Sequence, residues 1–357
     1  MIVGDRMKDT QEKQVCEVKR QGTSGASPLL DTIETTVRKL PIERAGDRKR
    51  EARNVSKQLE KLGFESKAQK IAQCSQGVYR RSFSCGHESH TRHGQGGIFY
   101  RCKDKFCPVC NHARSTKLAG TLGTALEAYV SKHNLYACHL VLTFANVDSL
   151  PDYGKLKRSV KTLFRIDEKS SKARRKFWER YGYHGALVNF EVTVAEDGKF
   201  HPHFHVLLLT ERPIELIETG EHAGEFQNSV NQELSDMWLK ITKDSYIVKG
   251  KSFEFSQIFE LVKYLTKGVN MIPDAQLSEL VEWSKGKRFL SMLGKLYDNP
   301  ELKQLCEEQE SEEPECCPEC GCNEFVDIPM RFDVRTGRYV DSEDWYGTHA
   351  ETYLRSP

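Results

Sequence analysis

The chain reads as an α+β protein built on a ferredoxin-like antiparallel sheet with helices on one side, with a zinc-knuckle module before it and a Cys-rich extension after it. Three observations lead there. The stretch 200–210, FHPHFHVLLLT, alternates polar and apolar residues; it follows the turn-forming AEDGK of 195–199 and the β-rich LVNFEVTV, so the two runs predict a hairpin. A strand pattern, ACHLVLTFAN at 137–146, comes before that hairpin across a helical pattern, and a helix and KSFEFSQ come after it. Strand, helix, strand, strand, helix, strand is the split βαβ order, which would put the histidines of the hairpin on a central strand. The third observation is that cysteines cluster on either side of this core.

The 357 residues are enough for a substantial core and two or three domains. A formal net charge of +2 names no partner, but it hides a strong asymmetry. Residues 151–176 carry ten Lys and Arg against Asp152, Asp167 and Glu168, whereas 301–319 carries eight Glu against Lys303. No run approaches the length of a membrane span and the first residues lack an apolar signal core, so a cytoplasmic protein without membrane contact is expected. In a reducing compartment, 12 cysteines are expected to be metal ligands or free thiols rather than disulfides.

In chain order, 1–43 is polar and aperiodic and is expected to be a disordered tail. Residues 44–130 form a helical region with a zinc knuckle: spaced apolar residues predict one or two surface helices broken near Gly63, followed by CGHESHTRHGQGGIFYRCKDKFCPVC. The two-residue gap of Cys107-Pro-Val-Cys110 lets both sulfurs reach one ion, and Cys85 with Cys102 completes a tetrahedral set for structural Zn²⁺; Cys74, His87, His90 and His93 are alternative donors. A helix with small and apolar residues on one side follows. Residues 131–297 hold the sheet domain. Its first crossover helix, with Leu156, Val160, Leu163 and Phe164 at helical spacing, continues toward a cationic ARRKFWERYG. Lys172, Arg174, Arg175 and Lys176 there, and Lys287 and Arg288 in EWSKGKRFLSMLGKL, are the expected phosphate contacts. The last of these segments is expected to be a helical or extended cap. Residues 298–357 are acidic and Cys-rich; Cys317 and Cys320 of CPECGC suggest half a zinc ribbon, with Cys306 and Cys322 as further donors, before a terminal hairpin in VDIPMRFDVRTGRYV.

The chemistry concentrates at two places. On a strand, His201, His203 and His205 share one face while Phe204 and Val206 enter the core. With a two- or a four-residue loop in the hairpin, Glu191 lies close to opposite His203, and two imidazoles with one carboxylate suit Mg²⁺ or Mn²⁺ with positions left for substrate oxygens. Beyond the sheet, IFELVKYLTKGV predicts an amphipathic helix with Phe259, Val262 and Leu265 toward the sheet. Glu260 and Tyr264 stand four apart on it, as do Lys263 and Lys267.

YRCKDKFCPVCNHARSTK, HLVLTFANV, FEVTVAEDGKFHPHFHVLLL and FELVKYLTKG, in that order over about 74–297, resemble the plasmid rolling-circle replication initiators of the HUH endonuclease superfamily. The narrower resemblance is to the branch with one tyrosine preceded four residues earlier by a glutamate. It implies an origin-specific, metal-dependent nicking and joining enzyme in which His203 and His205 hold the divalent ion, Tyr264 is the nucleophile that forms a 5′-phosphotyrosyl intermediate, and Glu260 helps resolve it. Origin DNA that is single-stranded at the nick, with a host helicase and polymerase, would be the partners. The Arg-rich continuation of the family's knuckle is thinned here to NHARS. A single-tyrosine HUH transposase or a relaxase shares the chemistry. A zinc-finger DNA-binding regulator without catalysis would explain the cysteines and the basic segment, but would leave His203, His205, Glu260 and Tyr264 without a joint purpose.

Overall fold

A computed structural model of the chain describes residues 41–85, 97–98, 100–216, 229–262, 272–310 and 320–342. They belong to two compact units: a larger one from 45–76 and 100–311, and a smaller one drawn from 1–44, 77–99 and 312–357. The expected N-terminal tail falls on residues that are almost all outside the described ones.

The helices expected before the knuckle are α1 (Pro41–Lys61) and α2 (Glu65–Gln73), and the break at Gly63 has a physical cause. Gly63 sits at φ +83, a conformation that favours glycine, and lets Phe64 N–H return to the Leu59 carbonyl at 2.9 Å. Ala52, Val55 and Leu59, spaced three and four apart, are fully buried. The short β1 (Gly77–Phe83) and β2 (Gly97–Ile98) come next. Then α3 (Pro108–Leu118) runs through a π-helical turn, Ala119–Gly123, into α4 (Thr124–Lys132).

The sheet of the larger unit follows. Its elements are β3 (Tyr136–Thr143), α5 (Tyr153–Leu163), α6 (Lys172–Tyr181), β4 (Tyr183–Val194), β5 (Phe200–Thr210), α7 (Val230–Thr242) and β6 (Val248–Ser252). Short α8 (Ile258–Val262), α9 (Asp274–Trp283), β7 (Leu290–Gly294) and α10 (Pro300–Glu310) complete it. The strand order is β6-β3-β5-β4-β7, with all neighbours antiparallel. The first four reproduce the split βαβ order, and the histidine strand β5 is at the centre. β7 is a strand that the sequence pattern does not predict; it lies inside the stretch read as a cap and pairs with β4 from Gly185 to Asn189.

The expectation of helices on one side is corrected. Strand residues of both parities are apolar over much of β4 and β5, and a sheet buried on both faces needs cover on both. Phe190, Phe204, Val206 and Leu208 face one layer, where Tyr153 of α5 meets Phe190 at 5.3 Å between ring centroids and Trp238 of α7 meets Phe144 at 5.0 Å. Leu187, Leu207 and Leu209 face the other, packed with Ala125, Leu126 and Tyr129 of α4, Ile258, Leu261 and Val262 of α8, and Leu302 of α10.

In the smaller unit β8 (Phe325–Asp333) and β9 (Arg338–Asp341) make the expected hairpin, turning at Gly337 with φ +67, in a sheet ordered β2-β1-β8-β9. Phe332 packs on Tyr339 at 5.3 Å. Among the described residues no helix is long and apolar enough to cross a membrane.

Leu207 is fully buried between the two central strands and α8. Leu207→Ala is expected to destabilise the larger unit by about 2–5 kcal/mol, read as a lower midpoint in urea unfolding followed by tryptophan fluorescence.

Candidate metal centres and the ligand face of the sheet

The hairpin sets the first centre. Gly198, at φ +80, donates to the Ala195 carbonyl at 2.9 Å, and Ala195 N–H pairs with the Lys199 carbonyl at 2.9 Å. The loop is therefore three residues, Glu196 to Gly198, rather than two or four, with glycine at the left-handed position that closes such turns. From there the register runs Val194 to Phe200, Thr193 to His201 and Glu191 to His203. Directly opposed residues share a face, so Glu191, His203 and His205 stand together, with Asn189 opposite His205.

Their donor atoms lie within 4.8 Å of one another. The Glu191 Oε2 is 2.8 Å from His205 Nε2 and 3.5 Å from His203 Nε2, and Glu191 and His203 are both under 10% exposed. Burial alone would push the Glu191 carboxyl up; hydrogen bonds from His203 and His205 outweigh it and hold the group well below the usual carboxylate range. It is thus an anion at neutral pH. Two imidazole nitrogens and one ionised oxygen, converging at the open end of a sheet, fit a divalent cation.

Each imidazole is oriented from behind. His203 Nδ1 is 3.1 Å from the His201 carbonyl, which makes Nδ1 the protonated nitrogen and leaves Nε2 as the donor. His205 Nδ1 is 3.0 Å from Nε2 of His139 on β3, with the rings stacked at 5.2 Å. Burial, with the charges of His205 and Lys251 adding to it, pulls the His139 pKa down to about 4, so this ring is neutral and can accept the His205 N–H. Sequence reasoning misses His139 within ACHLVLTFAN, where nothing but the register of β3 against β5 reveals its face. His201 turns instead to Asn146 at 2.6 Å and stays outside the ligand group.

The second centre is made of sulfur. Pro108 opens α3 with Cys107 at its N-cap, which puts Cys107 and Cys110 on adjacent turns. Cys102 and Cys110 approach to 3.6 Å between sulfurs, and Cys74 and Cys110 to 3.4 Å. All four sulfurs lie within 4.8 Å of each other. A tetrahedral ion with Zn–S bonds of about 2.3 Å sets sulfurs about 3.8 Å apart, so this set fits zinc. Cys74, at the end of α2, occupies the place expected of Cys85. Cys85 is corrected out of this set: 17 residues of chain separate it from Cys102, while Cys74 is brought in because Ser75 N–H bonds the Tyr100 carbonyl at 2.9 Å and pins the two segments together. Lys49 of α1, fully buried, donates to the carbonyls of Ala72 and Cys74; burial pulls its pKa down to about 8 against the opposing pull of Cys74 and Cys107.

Glu260 lies in α8, whereas Lys263, Tyr264 and Lys267 fall outside the described residues. The buried side of α8 is Ile258, Leu261 and Val262, with Phe259 half-buried against His112 at 5.8 Å, rather than the Phe259 and Val262 face expected. Ile258 gets close because Gly123 has no side chain: a Cβ there would meet Ile258 at 2.8 Å. Asn189 Nδ2 donates to the Leu261 carbonyl at 2.9 Å, fastening α8 to the same sheet face that carries Glu191 and His205.

The profile of the replication protein family matches residues 98–324. The chain belongs to that family. Three curated relatives carry the name Protein rep. That of Lentilactobacillus hilgardii is 27% identical over 248 residues, 66% of this chain and 72% of its own. That of Streptococcus pneumoniae serotype 2 is 28% identical over 184 residues, 48% of this chain and 53% of its own. That of Lactiplantibacillus plantarum is 29% identical over 151 residues, 41% of this chain and 42% of its own. No solved structure matches. The family match bears out the resemblance to plasmid replication initiators.

The cations of this replication protein are placed differently from expectation. Lys172 and Lys176 are exposed on α6 and Arg175 is half-buried, but Arg174 points inward, donating to Ser170 Oγ at 2.9 Å; it is corrected as a surface contact. Arg174 falls on the same helical stripe as the buried Phe177 and Trp178, which decides its direction. Lys287 lies over the Trp283 ring at 4.8 Å and bonds its carbonyl, while Arg288 is exposed. Two further lysines carry no signal in the sequence. Lys249 and Lys251 on edge strand β6 pair with Val141 and His139, so they lie on the ligand face. A groove of about 680 Å³ with an apolar floor at Leu118 and Leu290 carries Arg101, Lys103, Arg114 and Lys117.

His139→Ala, which removes the acceptor behind His205, is expected to weaken Mn²⁺ binding about 10–100-fold in isothermal titration without unfolding the chain. Unchanged affinity would contradict the orienting role.

Proposed function

We propose that this replication protein nicks and rejoins one strand of plasmid origin DNA through a 5′-phosphotyrosyl intermediate formed on Tyr264. The observation that supports this best is the buried donor set of Glu191, His203 and His205, with α8, whose chain leads to Tyr264, tied to the same face through Asn189. Held there, Mg²⁺ or Mn²⁺ would withdraw charge from a scissile phosphate.

The rest is work for the chain. Glu191 keeps both imidazoles in the donor orientation and its own charge neutralises part of the cation's. The Tyr264 phenol oxygen attacks phosphorus; the bond to the 3′ oxygen breaks, and that oxygen takes a proton and leaves as a free 3′-OH for a host polymerase. Lys263 and Lys267 favour the phenolate, whose unperturbed pKa is about 10. The phosphodiester's energy is kept in the tyrosyl ester until a strand end or a water, deprotonated by Glu260, resolves it. A host helicase would expose the single strand that this requires. Lys249 and Lys251 beside the donor set, and the cations of the groove, give the DNA backbone its counter-charges.

Supercoiled plasmid bearing the origin, incubated with the full chain and Mn²⁺, is expected to yield open circles with protein covalently on the 5′ end, seen on a denaturing gel. Tyr264→Phe should lose the adduct, and an adduct that persists would refute the nucleophile. Lys249→Ala with Lys251→Ala should weaken binding to single-stranded DNA and flatten the plot of log affinity against log salt by about 0.7 for each phosphate no longer neutralised; an unaltered slope would remove these lysines from the DNA path.

A further inference from the structure

Displaced from the knuckle, Cys85 has another neighbourhood, within the smaller unit. β1 and β8 pair antiparallel from Gly77 with Arg331 through to Phe83 with Phe325, and Ser84 N–H extends the ladder to the Glu324 carbonyl at 2.9 Å. That register carries the residue after β1, Cys85, to the segment just before β8, which contains Cys320 and Cys322. More than 230 residues of sequence separate these cysteines, so no spacing rule connects them.

The local geometry is that of a sulfur made ready for a cation. Cys322 Sγ lies 3.4 Å from Ser84 Oγ. The Ser84 hydroxyl first, then backbone hydrogen bonds at Glu324 and Cys85 and the Cys85 side chain, draw the Cys322 thiol below its ordinary value. Backbone N–H groups directed at a cysteine sulfur stabilise the thiolate, which is the form that binds metal. Between the two C-terminal cysteines Gly321 takes φ +70, a left-handed conformation that turns the chain between Cys320 and Cys322. None of the three is held in a disulfide, and Cys85 and Cys322 are half-buried.

We propose that Cys85, Cys320 and Cys322 bind a second zinc ion, which clamps the end of β1 to the start of β8 and ties the two distant stretches of chain into one small unit. Soft thiolates select zinc over the hard cation suited to Glu191, His203 and His205, so the two kinds of centre do not compete for the same ion. The site is independent of the nicking chemistry and has its own readout. It also revises the half-ribbon reading of the C-terminus: the missing half is supplied by Cys85 rather than by Cys306.

The test uses the full chain purified without chelator. Cadmium substitution followed by cadmium NMR is expected to give two thiolate-bound resonances, one for each site; a single resonance overturns the proposal. Zinc released by a thiol-blocking mercurial is expected to fall by one equivalent per chain in Cys85→Ser and in Cys322→Ser, with the Cys74 site still loaded. Cys85→His, which offers another zinc donor, should keep the equivalent that Cys85→Ser loses. Zinc content unchanged in both serine variants, or a Cys85–Cys322 disulfide recovered by peptide mapping of alkylated protein, overturns it.

Discussion

A carboxylate buried in the face of a sheet stays ionised here because two imidazoles meet it. Glu191 on β4 is opposed to His203 on β5 and bonded to His205 one step further on, and the three donor atoms come within one coordination sphere. Removing a single partner from such a buried charged group costs about 3–5 kcal/mol, which makes the triad a constraint on the fold as well as a site. The constraint acts through register. A one-residue slip of β5 would turn the histidines into the core beside Trp238 and bring Phe204 and Val206 out to the ligand face. The hairpin loop closed by Gly198 and the apolar alternation of β5 oppose that slip from both ends.

The sulfur centre and the sheet share a rigid path through the larger unit. Cys107 caps α3, α3 continues through a π turn into α4, Gly123 at the end of that turn admits Ile258, and the Leu261 carbonyl of α8 is held by Asn189, two residues from Glu191. Each contact is short and local. Together they explain why a knuckle is found in a chain whose chemistry lies on the sheet: a zinc ion at Cys74, Cys102, Cys107 and Cys110 would anchor the helix on which α8 rests. Lys49, buried against the carbonyl of Cys74, supplies positive charge to a cluster that carries excess negative charge once its thiols ionise.

What is legible in the sequence is what repeats at short range. The alternation of 200–210 sets the bounds of β5, the AEDGK turn marks the hairpin, and the order of strand and helix patterns fixes the sheet order. Glu191 opposite His203 follows from counting across the turn. What escapes is set at long range. β7 hides in a segment with a basic centre because its partner, β4, lies about a hundred residues earlier. Cys74 and Cys85 carry equal weight as ligands in a spacing argument, and only the pairing of Ser75 with Tyr100 on one side and of β1 with β8 on the other separates them. Arg174 reads as a surface cation because charge runs give no hint of which member falls on the buried stripe of the helix. His139, Lys249 and Lys251 become visible only through strand register.

The claim on which the functional account rests is that Glu191, His203 and His205 bind one divalent cation, and pulsed electron paramagnetic resonance of the Mn²⁺-loaded chain reads this directly. The account predicts nitrogen couplings from two imidazoles, reduced to one by His203→Ala and by His205→Ala, with Glu191→Gln weakening occupancy. Manganese that shows no imidazole nitrogen, or couplings that survive both histidine substitutions, would contradict it.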